Sequence, residues 1–295
     1  MEVAMALNWR EMSDETIEAH FNPRVASTDA EGSLTRYASR SAAAREALAG
    51  QCHAEEDLRY GPGAKQTYDL YRPRGDAEGR PLVVFIHGGF WRALDKSDHS
   101  FVVPPLVAAG AVVANLNYDL CPNVTLDQMC DEVIAGVRHC HTNAAAWGAD
   151  PARTVLIGHS AGAHLAARVL NAPEDAHGRP ADLVTGVAAI SGIYEPQVVL
   201  RLPTVNEQAR IAGDVAERND CLARPPTGAA RLAVWAGGDE PDGWVDQSRR
   251  YADLARTQGL DCAFFKLAGT DHFTVLERSF EADSVGWQAI LGLLG

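Results

Sequence analysis

The chain has 295 residues, of which 26 are Lys or Arg and 39 are Asp or Glu, so its formal net charge is −13 at pH 7. Such an acidic chain repels phosphate backbones and anionic lipid surfaces, which argues against a nucleic-acid or membrane partner. The length fits one large α/β core with a peripheral segment better than several domains.

Cysteine spacing and the first residues bear on the cellular compartment. The six cysteines are scattered without CxxC pairs, a pattern typical of reduced thiols rather than of a disulfide framework or a zinc site. The opening stretch MEVAMALNWREMSDE lacks the basic and apolar regions of a signal peptide, and no stretch approaches the roughly 20 apolar residues of a membrane span. We therefore expect a soluble, cytoplasmic protein.

The N-terminal region predicts helices. Residues 13–49 are polar and rich in Ala, and SDETIEAHF and TRYASRSAAAREALAG predict two short helices ending at Gly50. We expect a helical arm over residues 1–55, packed on a core domain over residues 56–295. Next, QTYDLYRP predicts a half-buried strand, because Tyr68 and Leu70 alternate with polar neighbours.

Beyond this strand, short apolar runs alternate with amphipathic stretches. Unbroken apolar strands separated by helices indicate strands covered on both faces, hence a mainly parallel α/β sheet flanked by helices. Residues 193–230 break the rhythm with several prolines, which predicts a short lid insertion. The strands are predicted in PLVVFIH, GAVVANLNY, RTVLIGHS, LVTGVAAIS, RLAVWAGGD and CAFFKL, and the helices in LDQMCDEVIAGVRHCH, AHLAARVLNA and WVDQSRRYADLARTQG.

GHSAG at residues 158–162 is the first motif that carries chemistry. It follows an apolar strand and opens a helical run, which is the context of a Gly-x-Ser-x-Gly nucleophile elbow. Glycines at 158 and 162 allow a tight turn that holds Ser160 in a strained conformation with its hydroxyl exposed. The alternative is a glycine-flanked serine that only caps a helix. We interpret Ser160 as the nucleophile.

An oxygen nucleophile needs a general base. His272, in AGTDHFTVLE, lies in a loop after the last predicted strand and is our candidate. Five of the other histidines are interpreted as structural: two on a helix, one serving a loop, and two that flank the serine on the tight elbow and point away from its hydroxyl. These are His139, His141, His87, His159 and His164.

The carboxylate that orients the base is expected after the preceding strand, in VWAGGDEPDGW. Asp239 is the first acidic residue after the glycines and is our choice. Asp271 is adjacent to His272, but neighbouring side chains rarely face each other in a turn, so we assign it a role in shaping the loop. The order Ser160, Asp239, His272 is the nucleophile, acid, base order of the α/β-hydrolase fold. The alternatives that stay open are Glu240, Asp242 and Asp246.

FIHGGFW at residues 85–91 ends a buried strand in flexible backbone. Its glycines allow N–H groups to turn toward the carbonyl oxygen of a substrate, where negative charge develops during attack. We expect the oxyanion hole to consist of the N–H groups of Gly89, Phe90 and Ala161, with Gly88 as an alternative to one of the first two.

These motifs together resemble the serine-dependent arylformamidases, also called kynurenine formamidases, of the α/β-hydrolase superfamily. HGGFW matches that family's HGGxW loop, and GHSAGAHLAA, GGDEPDGWVDQS and TDHF resemble its elbow, acid loop and base loop. WREMSDETIEAHFNPR resembles its N-terminal arm, and SGIYEPQVV the strand end that leads into its lid. The resemblance implies cleavage of an aryl formamide such as N-formylkynurenine, a step of tryptophan catabolism, by Ser160, Asp239 and His272.

Aromatic residues on loops at the carboxyl ends of strands fit an aromatic substrate. We predict substrate contacts from Trp91, Tyr194 and Trp244, with packing between loops and core as the alternative for each. A small aromatic amide or ester is the expected ligand, and a homodimer is compatible with the sequence. We expect neither a cofactor nor a metal, since the histidines form no HxxxH or HExxH pattern.

Two other functions remain open. The second hypothesis is a carboxylesterase or amidase acting on other small aromatic esters or amides, because these residues do not distinguish C–N from C–O cleavage. The third is a non-catalytic binding protein on the same scaffold. Such proteins generally lose a catalytic residue or an oxyanion glycine, whereas this sequence has a candidate for each.

Overall fold

A single mixed sheet forms the centre of the computed structural model, which describes residues 7–75 and 78–295. Its strands are β1 (Cys52–Arg59), β2 (Thr67–Pro73), β3 (Arg80–Ile86), β4 (Val112–Leu116), β5 (Ala149–His159), β6 (Gly186–Ile190), β7 (Arg231–Gly237) and β8 (Cys262–Leu267). Their order in space is β1-β2-β4-β3-β5-β6-β7-β8. β2 pairs antiparallel with β1 and β4, and the pairs from β4 to β8 are parallel, which confirms the predicted mainly parallel sheet.

Helices flank this sheet and connect its parallel strands. They are α1 (Asp14–Phe21), α2 (Pro23–Ala26), α3 (Ala30–Gln51), α4 (Val103–Ala108), α5 (Leu126–Asn143), α6 (Ala161–Asn171), α7 (Pro203–Ala209), α8 (Gly213–Arg218), α9 (Asp242–Thr257), α10 (Thr274–Ser279) and α11 (Val285–Leu294). The helices predicted at 126–141, 163–172 and 244–259 correspond to α5, α6 and α9.

Burial of the central strands on both faces explains their continuous apolar sequence. In β3, Leu82, Val84 and Ile86 belong to the apolar cluster on one face of the sheet, while Val83 and Phe85 belong to the cluster on the other. All five side chains are inaccessible to solvent. Neither face of these strands therefore has room for polar residues, which is typical of a parallel sheet between helix layers.

β1 has no counterpart in the predicted elements. Its sequence, CHAEEDLR, is mostly exposed, and its pairing with β2 is interrupted by a register shift between Glu55 and Leu58, where Asp57 has a φ of 56°. Charged residues and a bulge are typical of a sheet edge. The sheet thus begins at Cys52, inside the N-terminal arm that we predicted to extend to residue 55.

The N-terminal arm packs on the sheet domain. Its long helix, α3, is extended by several residues relative to the prediction and begins at Ala30. The Tyr37 hydroxyl donates to the carbonyl of Phe273 at 2.5 Å, and Arg45 donates to the carbonyl of Ser97 at 2.5 Å. Burial, with the charges of Glu277 and Asp271 adding, raises the pKa of Tyr37 well above its ordinary value. The arm therefore contacts the loop that carries His272.

The predicted lid insertion contains short helices. Between β6 and β7, a 3-10 helix (Pro196–Arg201) leads into α7 and then α8, and Pro196 and Pro203 each lie in a first helical turn, where the missing N–H costs nothing. Asn22 of the arm donates to the Thr204 hydroxyl at 3.2 Å, so arm and insertion are in direct contact. No helix in the described part of the chain is long and apolar enough to cross a membrane.

Candidate active site

The elbow at residues 158–162 has the strained geometry expected from its sequence. Ser160, between β5 and α6, has φ 57° and ψ −120°, and its N–H donates to the carbonyl of Ile190 at 2.8 Å. A Cβ at Gly158 would lie 2.3 Å from the carbonyl oxygen of Gly162, and one at Gly162 would lie 2.0 Å from that of Ile86. Glycine is required at both positions because any side chain would collide with backbone.

Ser160 and His272 are brought together across the carboxyl edge of the sheet. Nε2 of His272 lies 3.0 Å from Oγ of Ser160, although the two residues are 112 positions apart. Both are buried, with 4% and 3% of their surface exposed. At this distance the two atoms form a hydrogen bond, along which the hydroxyl proton can pass to the imidazole.

Glu240, not Asp239, is the acidic partner of His272. Nδ1 of His272 lies 2.9 Å from Oε2 of Glu240, whose side chain is fully buried, whereas Asp239 is exposed. The choice of Asp239 is therefore wrong on geometry, and the alternative Glu240 occupies the position. As a carboxylate Glu240 can only accept, so Nδ1 carries the proton and Nε2 is left with the lone pair that accepts from Ser160.

Two further donors fix the second oxygen of Glu240. The N–H of Gly237 donates to Oε1 at 2.6 Å, and the hydroxyl of Ser191 donates to the same atom. Ser191 follows β6 directly and has a φ of 48°, a conformation that turns its hydroxyl toward the neighbouring strand end. The carboxylate is thus held by the ends of β6 and β7, which explains how a long Glu side chain keeps one orientation.

The other acidic candidates have different roles. Asp242 is exposed at the start of α9, and Asp246 is paired with Arg249 at 2.6 Å. Asp271 accepts from the N–H of Thr274 at 2.8 Å and from the Ser27 hydroxyl at 2.5 Å. Burial opposes ionisation of Asp271, but these hydrogen bonds outweigh it and lower its pKa from the ordinary value. The structural role predicted for Asp271 is confirmed.

His159, which flanks the serine, holds the loop of the base. Its Nε2 lies 2.9 Å from the carbonyl oxygen of His272, and the two rings are 5.0 Å apart. Burial, with the charge of His272 adding, lowers the pKa of His159 well below its ordinary value. A neutral imidazole with its proton on Nε2 therefore donates to the backbone of His272. This contact could not be predicted from the sequence, because it joins residues of two separate loops.

The remaining histidines near the motifs are structural, as predicted. Nδ1 of His87 lies 2.7 Å from the carbonyl oxygen of Gly88, and burial lowers the pKa of His87 to about 4. His164 accepts a hydrogen bond at Nδ1, and its Nε2 lies 2.8 Å from the carbonyl oxygen of Asn219. Burial lowers the pKa of His164 to about 3. His139 and His141 lie on α5, and burial lowers the pKa of each.

The HGGFW loop adopts backbone conformations that residues with side chains rarely take. Gly89 has a φ of 120°, Phe90 of 49° and Trp91 of 60°. The N–H groups of Gly88, Gly89, Phe90 and Ala161 donate to no acceptor within residues 7–75 and 78–295. They are free donors beside Ser160, which is what an oxyanion site needs, and Gly88 meets this condition as its neighbours do.

A cavity of about 100 Å³ lies over Ser160 and His272. The HGGFW loop forms one side of it, and the N-terminal arm and α7 form the others. Its apolar walls come from Phe90, Leu94, Val205, Phe273, Pro23, Leu34, Tyr37 and Ala93. Its polar lining comes from Asn22, Arg24, Arg92, His99, His159 and Thr204. The apolar walls and the free N–H groups suit a small, mostly apolar substrate with one polar reacting group.

The three aromatic residues predicted to contact substrate do not line this cavity. Trp91 is fully buried and donates through Nε1 to Nδ1 of His164 at 3.2 Å, and Tyr194 is fully buried and stacks on Tyr251 with centroids 4.2 Å apart. Trp244 is 1% exposed, and its ring lies 4.1 Å from that of His272. The predicted substrate contacts are wrong, because each ring packs between a loop and the core. Such packing was the alternative interpretation of all three residues. Trp244 instead supports the His272 ring.

Many of the cavity residues that the sequence did not predict come from the arm and α7. Arg24 and Asn22 precede or begin α2, and Thr204 and Val205 begin α7. The sequence indicated an arm and an insertion but not that both meet over the elbow. No group of three or more His, Cys, Asp or Glu side chains that could hold a metal ion occurs in the part of the chain described.

The parallel sheet, the strained serine elbow and the serine–histidine–carboxylate contacts define an α/β-hydrolase, an enzyme that hydrolyses amide or ester bonds. The sequence matches the BD-FAE family over residues 68–179. It is 31% identical over 255 residues to a kynurenine formamidase of Drosophila melanogaster, with 81% of each chain covered. The chain belongs to the kynurenine formamidase family, which confirms the resemblance drawn from its motifs.

A second relative and two solved structures are also similar to this chain. A kynurenine formamidase of Danio rerio is 28% identical over 301 residues, covering 98% of this chain and 99% of the relative. A solved structure described as a putative thioesterase from Silicibacter sp. TM1040 is 27% identical, with a TM-score of 0.78, and covers 94% of this chain and 98% of its own. An esterase from Pyrobaculum calidifontis shares the fold at 19% identity, with a TM-score of 0.68, covering 95% of each chain.

Proposed function

We propose that this chain hydrolyses aryl formamides of the N-formylkynurenine type through an acyl-enzyme on Ser160. The observation that carries the proposal is the unbroken series of contacts from Ser160 Oγ to His272 at 3.0 Å and on to Glu240 at 2.9 Å, at the base of an apolar cavity. Kynurenine formamidases of Danio rerio and Salmo salar align along nearly the whole chain. We also propose a cytoplasmic location, supported by six free, buried cysteines.

In the first half of the proposed reaction, Nε2 of His272 takes the proton of Ser160 as Oγ attacks the formyl carbonyl. His272 then passes that proton to the nitrogen of the leaving arylamine, and the formyl group stays on Ser160 as an ester. In the second half, His272 takes a proton from water as the water oxygen attacks this ester. His272 then returns that proton to Oγ of Ser160 as the ester bond breaks and formate is released. Glu240 keeps the proton on Nδ1 and stabilises the imidazolium that forms in both halves.

The carbonyl oxygen becomes negative at each attack and needs donors that are already in place. We assign this role to the free N–H groups of Gly89, Phe90 and Ala161, with Gly88 as the alternative on the loop. The positive φ values of Gly89 and Phe90 support the assignment, because they turn successive N–H groups to one side of the chain. Loss of one such donor typically costs about 10²- to 10³-fold in rate.

Ester hydrolysis is the second candidate, and the sequence relatives give it specific support. Over 111 residues, 38% of this chain, an isoprenylcysteine alpha-carbonyl methylesterase of Arabidopsis thaliana is 36% identical. The same contacts serve C–O and C–N cleavage, because His272 can protonate either an alkoxide or an amine.

Steady-state kinetics on N-formylkynurenine and on short-chain aryl esters tests the proposal. We expect kcat/KM on the formamide to equal or exceed that on the esters, and Ser160→Ala to abolish both activities. A formamide efficiency far below the ester efficiency would refute the formamidase assignment. Full activity of the Ser160→Ala variant would refute the mechanism. Circular dichroism of the variant shows whether it is folded.

A further inference from the structure

We propose that Arg92 forms an anion subsite in the cavity and selects substrates that carry a carboxylate remote from the scissile bond. This subsite rests on the proposed function, because it uses the same cavity and the same nucleophile. The feature that it adds is a carboxylate on the substrate, which the reaction itself does not require. A formyl transfer to Ser160 needs only the carbonyl and a leaving group.

The charge of the cavity lining is opposite to that of the chain. The sequence has 39 acidic and 26 basic residues, yet the described residues that line the cavity include Arg24 and Arg92 and neither Asp nor Glu. A positive lining in an acidic protein attracts an anionic group and would repel a cationic one. The lining therefore favours an anionic substrate over a neutral one of the same shape.

Arg92 has no counter-ion within residues 7–75 and 78–295. Its Nη1 donates to the neutral amide oxygen of Gln208 at 2.5 Å, and its buried Nε has no acceptor. Arg24, by contrast, is paired with Glu31. A partly buried guanidinium with unused donors is costly to keep desolvated, and a bound carboxylate would supply the missing acceptors.

Arg92 stays charged although it is partly buried and close to Arg24. Burial, with the charge of Arg24 adding, lowers the pKa of Arg92 below its ordinary value. A guanidinium nevertheless stays protonated at any pH the enzyme meets. Arg92 therefore keeps its positive charge at the cavity.

The position of Arg92 links charge recognition to the chemistry. Its N–H donates to the carbonyl of Gly89 at 3.1 Å, so it belongs to the same turn as the proposed oxyanion donors. Gln208 of α7 holds the guanidinium from the opposite wall. A substrate whose carboxylate engages Arg92 therefore has its carbonyl placed at a fixed separation from that turn, which orients it toward Ser160.

The test uses two matched substrate pairs: formamidophenylpropanoate with its neutral primary amide, and acetoxyphenylpropanoate with its neutral primary amide. In each pair the readout is the ratio of kcat/KM for the acid to that for the amide, which does not depend on the fraction of folded enzyme. Arg92→Gln removes the charge. Arg179→Gln is the control, since Arg179 is an exposed arginine outside the cavity whose contact with Asp182 is long, at 3.9 Å.

We expect the wild type to prefer the acid in both pairs, Arg92→Gln to lower the ratio about tenfold, and Arg179→Gln to leave it unchanged. Arg92→Glu should favour the neutral amide. An unchanged ratio in Arg92→Gln, or an equal loss in Arg179→Gln, would overturn the subsite. Should Arg92→Gln not fold, wild-type inhibition decides: phenylpropanoate must inhibit at least several-fold better than phenylpropanamide, and equal inhibition overturns the proposal.

The same data separate this inference from the proposed function. Cleavage of the esters alone, with an acid preference that Arg92→Gln removes, would support the subsite and refute the formamidase assignment. Cleavage of the formamides without any preference for the acid would refute the subsite and leave the formamidase assignment standing.

Discussion

Replacement of Glu240 by Gln is the sharpest test of the site geometry. The side chain keeps its size, but the negative charge that faces the imidazolium is lost. At the observed 2.9 Å and an effective dielectric constant of about 20, that ion pair is worth roughly 5–6 kcal/mol, or about four powers of ten in rate. The amide dipole retains part of this, so we expect kcat to fall about 10³- to 10⁴-fold.

The matched control is Asp239→Asn, which removes the same charge one residue earlier on an exposed side chain. We expect its kcat to stay within about threefold of wild type, because a solvated charge is strongly screened. The assay is steady-state hydrolysis of an activated aryl ester, with thermal unfolding of each variant measured in parallel. A larger loss in Asp239→Asn than in Glu240→Gln would refute the reasoning and restore Asp239 as the acid.

Three further predictions concern the supports of the site. Gly158→Ala places a Cβ 2.3 Å from the Gly162 carbonyl oxygen, so the elbow must shift and kcat should fall about 10²-fold; a wild-type kcat would contradict this. Trp91→Phe leaves Nδ1 of buried His164 without its donor and should lower the free energy of unfolding by about 1–3 kcal/mol, measured by urea titration; an unchanged midpoint would argue against that bond. Because hydrogen bonds lower the pKa of Asp271 in the folded state, its carboxylate stabilises the protein at pH values above the ordinary Asp pKa, and this stabilisation is lost as the pH falls. Asp271→Asn should therefore flatten the dependence of the free energy of unfolding on pH below about pH 5, and an unaltered slope would count against the prediction.

The ends of the buried parallel strands could be predicted from the sequence, because such strands consist of continuous runs of apolar residues. PLVVFIH and RTVLIGHS correspond to β3 and β5. Gly88 follows the first of these runs, Ser160 ends the second, and both line the cavity. β1 has no such apolar run, because this strand is held in place by pairing with β2 rather than by burial of its own side chains. Edge strands of this kind are specified by their neighbours.

The acid was misplaced by one residue for a reason that concerns backbone direction. After β7, the N–H of Asp239 donates to the carbonyl of Thr270 and that of Glu240 to the carbonyl of Gly237, so consecutive side chains leave the turn in different directions. Which of the two faces His272 depends on the path of two glycines, 237 and 238, that permit several conformations. Chain order alone could not decide between them.

The aromatic predictions failed for a related reason. A loop position at the end of a strand is compatible with either pocket or core, and the side-chain direction of Trp91 follows from its φ of 60°, which the sequence does not reveal. The cavity walls could not be predicted, because they are formed by segments that are far apart in the chain. The hydrogen bond between Asn22 and Thr204 is an example.

That contact has a consequence for how the enzyme could diversify. Ser160, His272 and Glu240 all stand on strand ends and elbows of the sheet, whereas much of the cavity wall comes from α2, α3 and α7. Substrate range can therefore drift through exchanges in the arm and in residues 203–209 while the reacting groups stay untouched. A graft of these segments from a relative with another substrate would then transfer the part of the substrate preference that does not depend on Arg92, with Ser160, His272 and Glu240 unchanged.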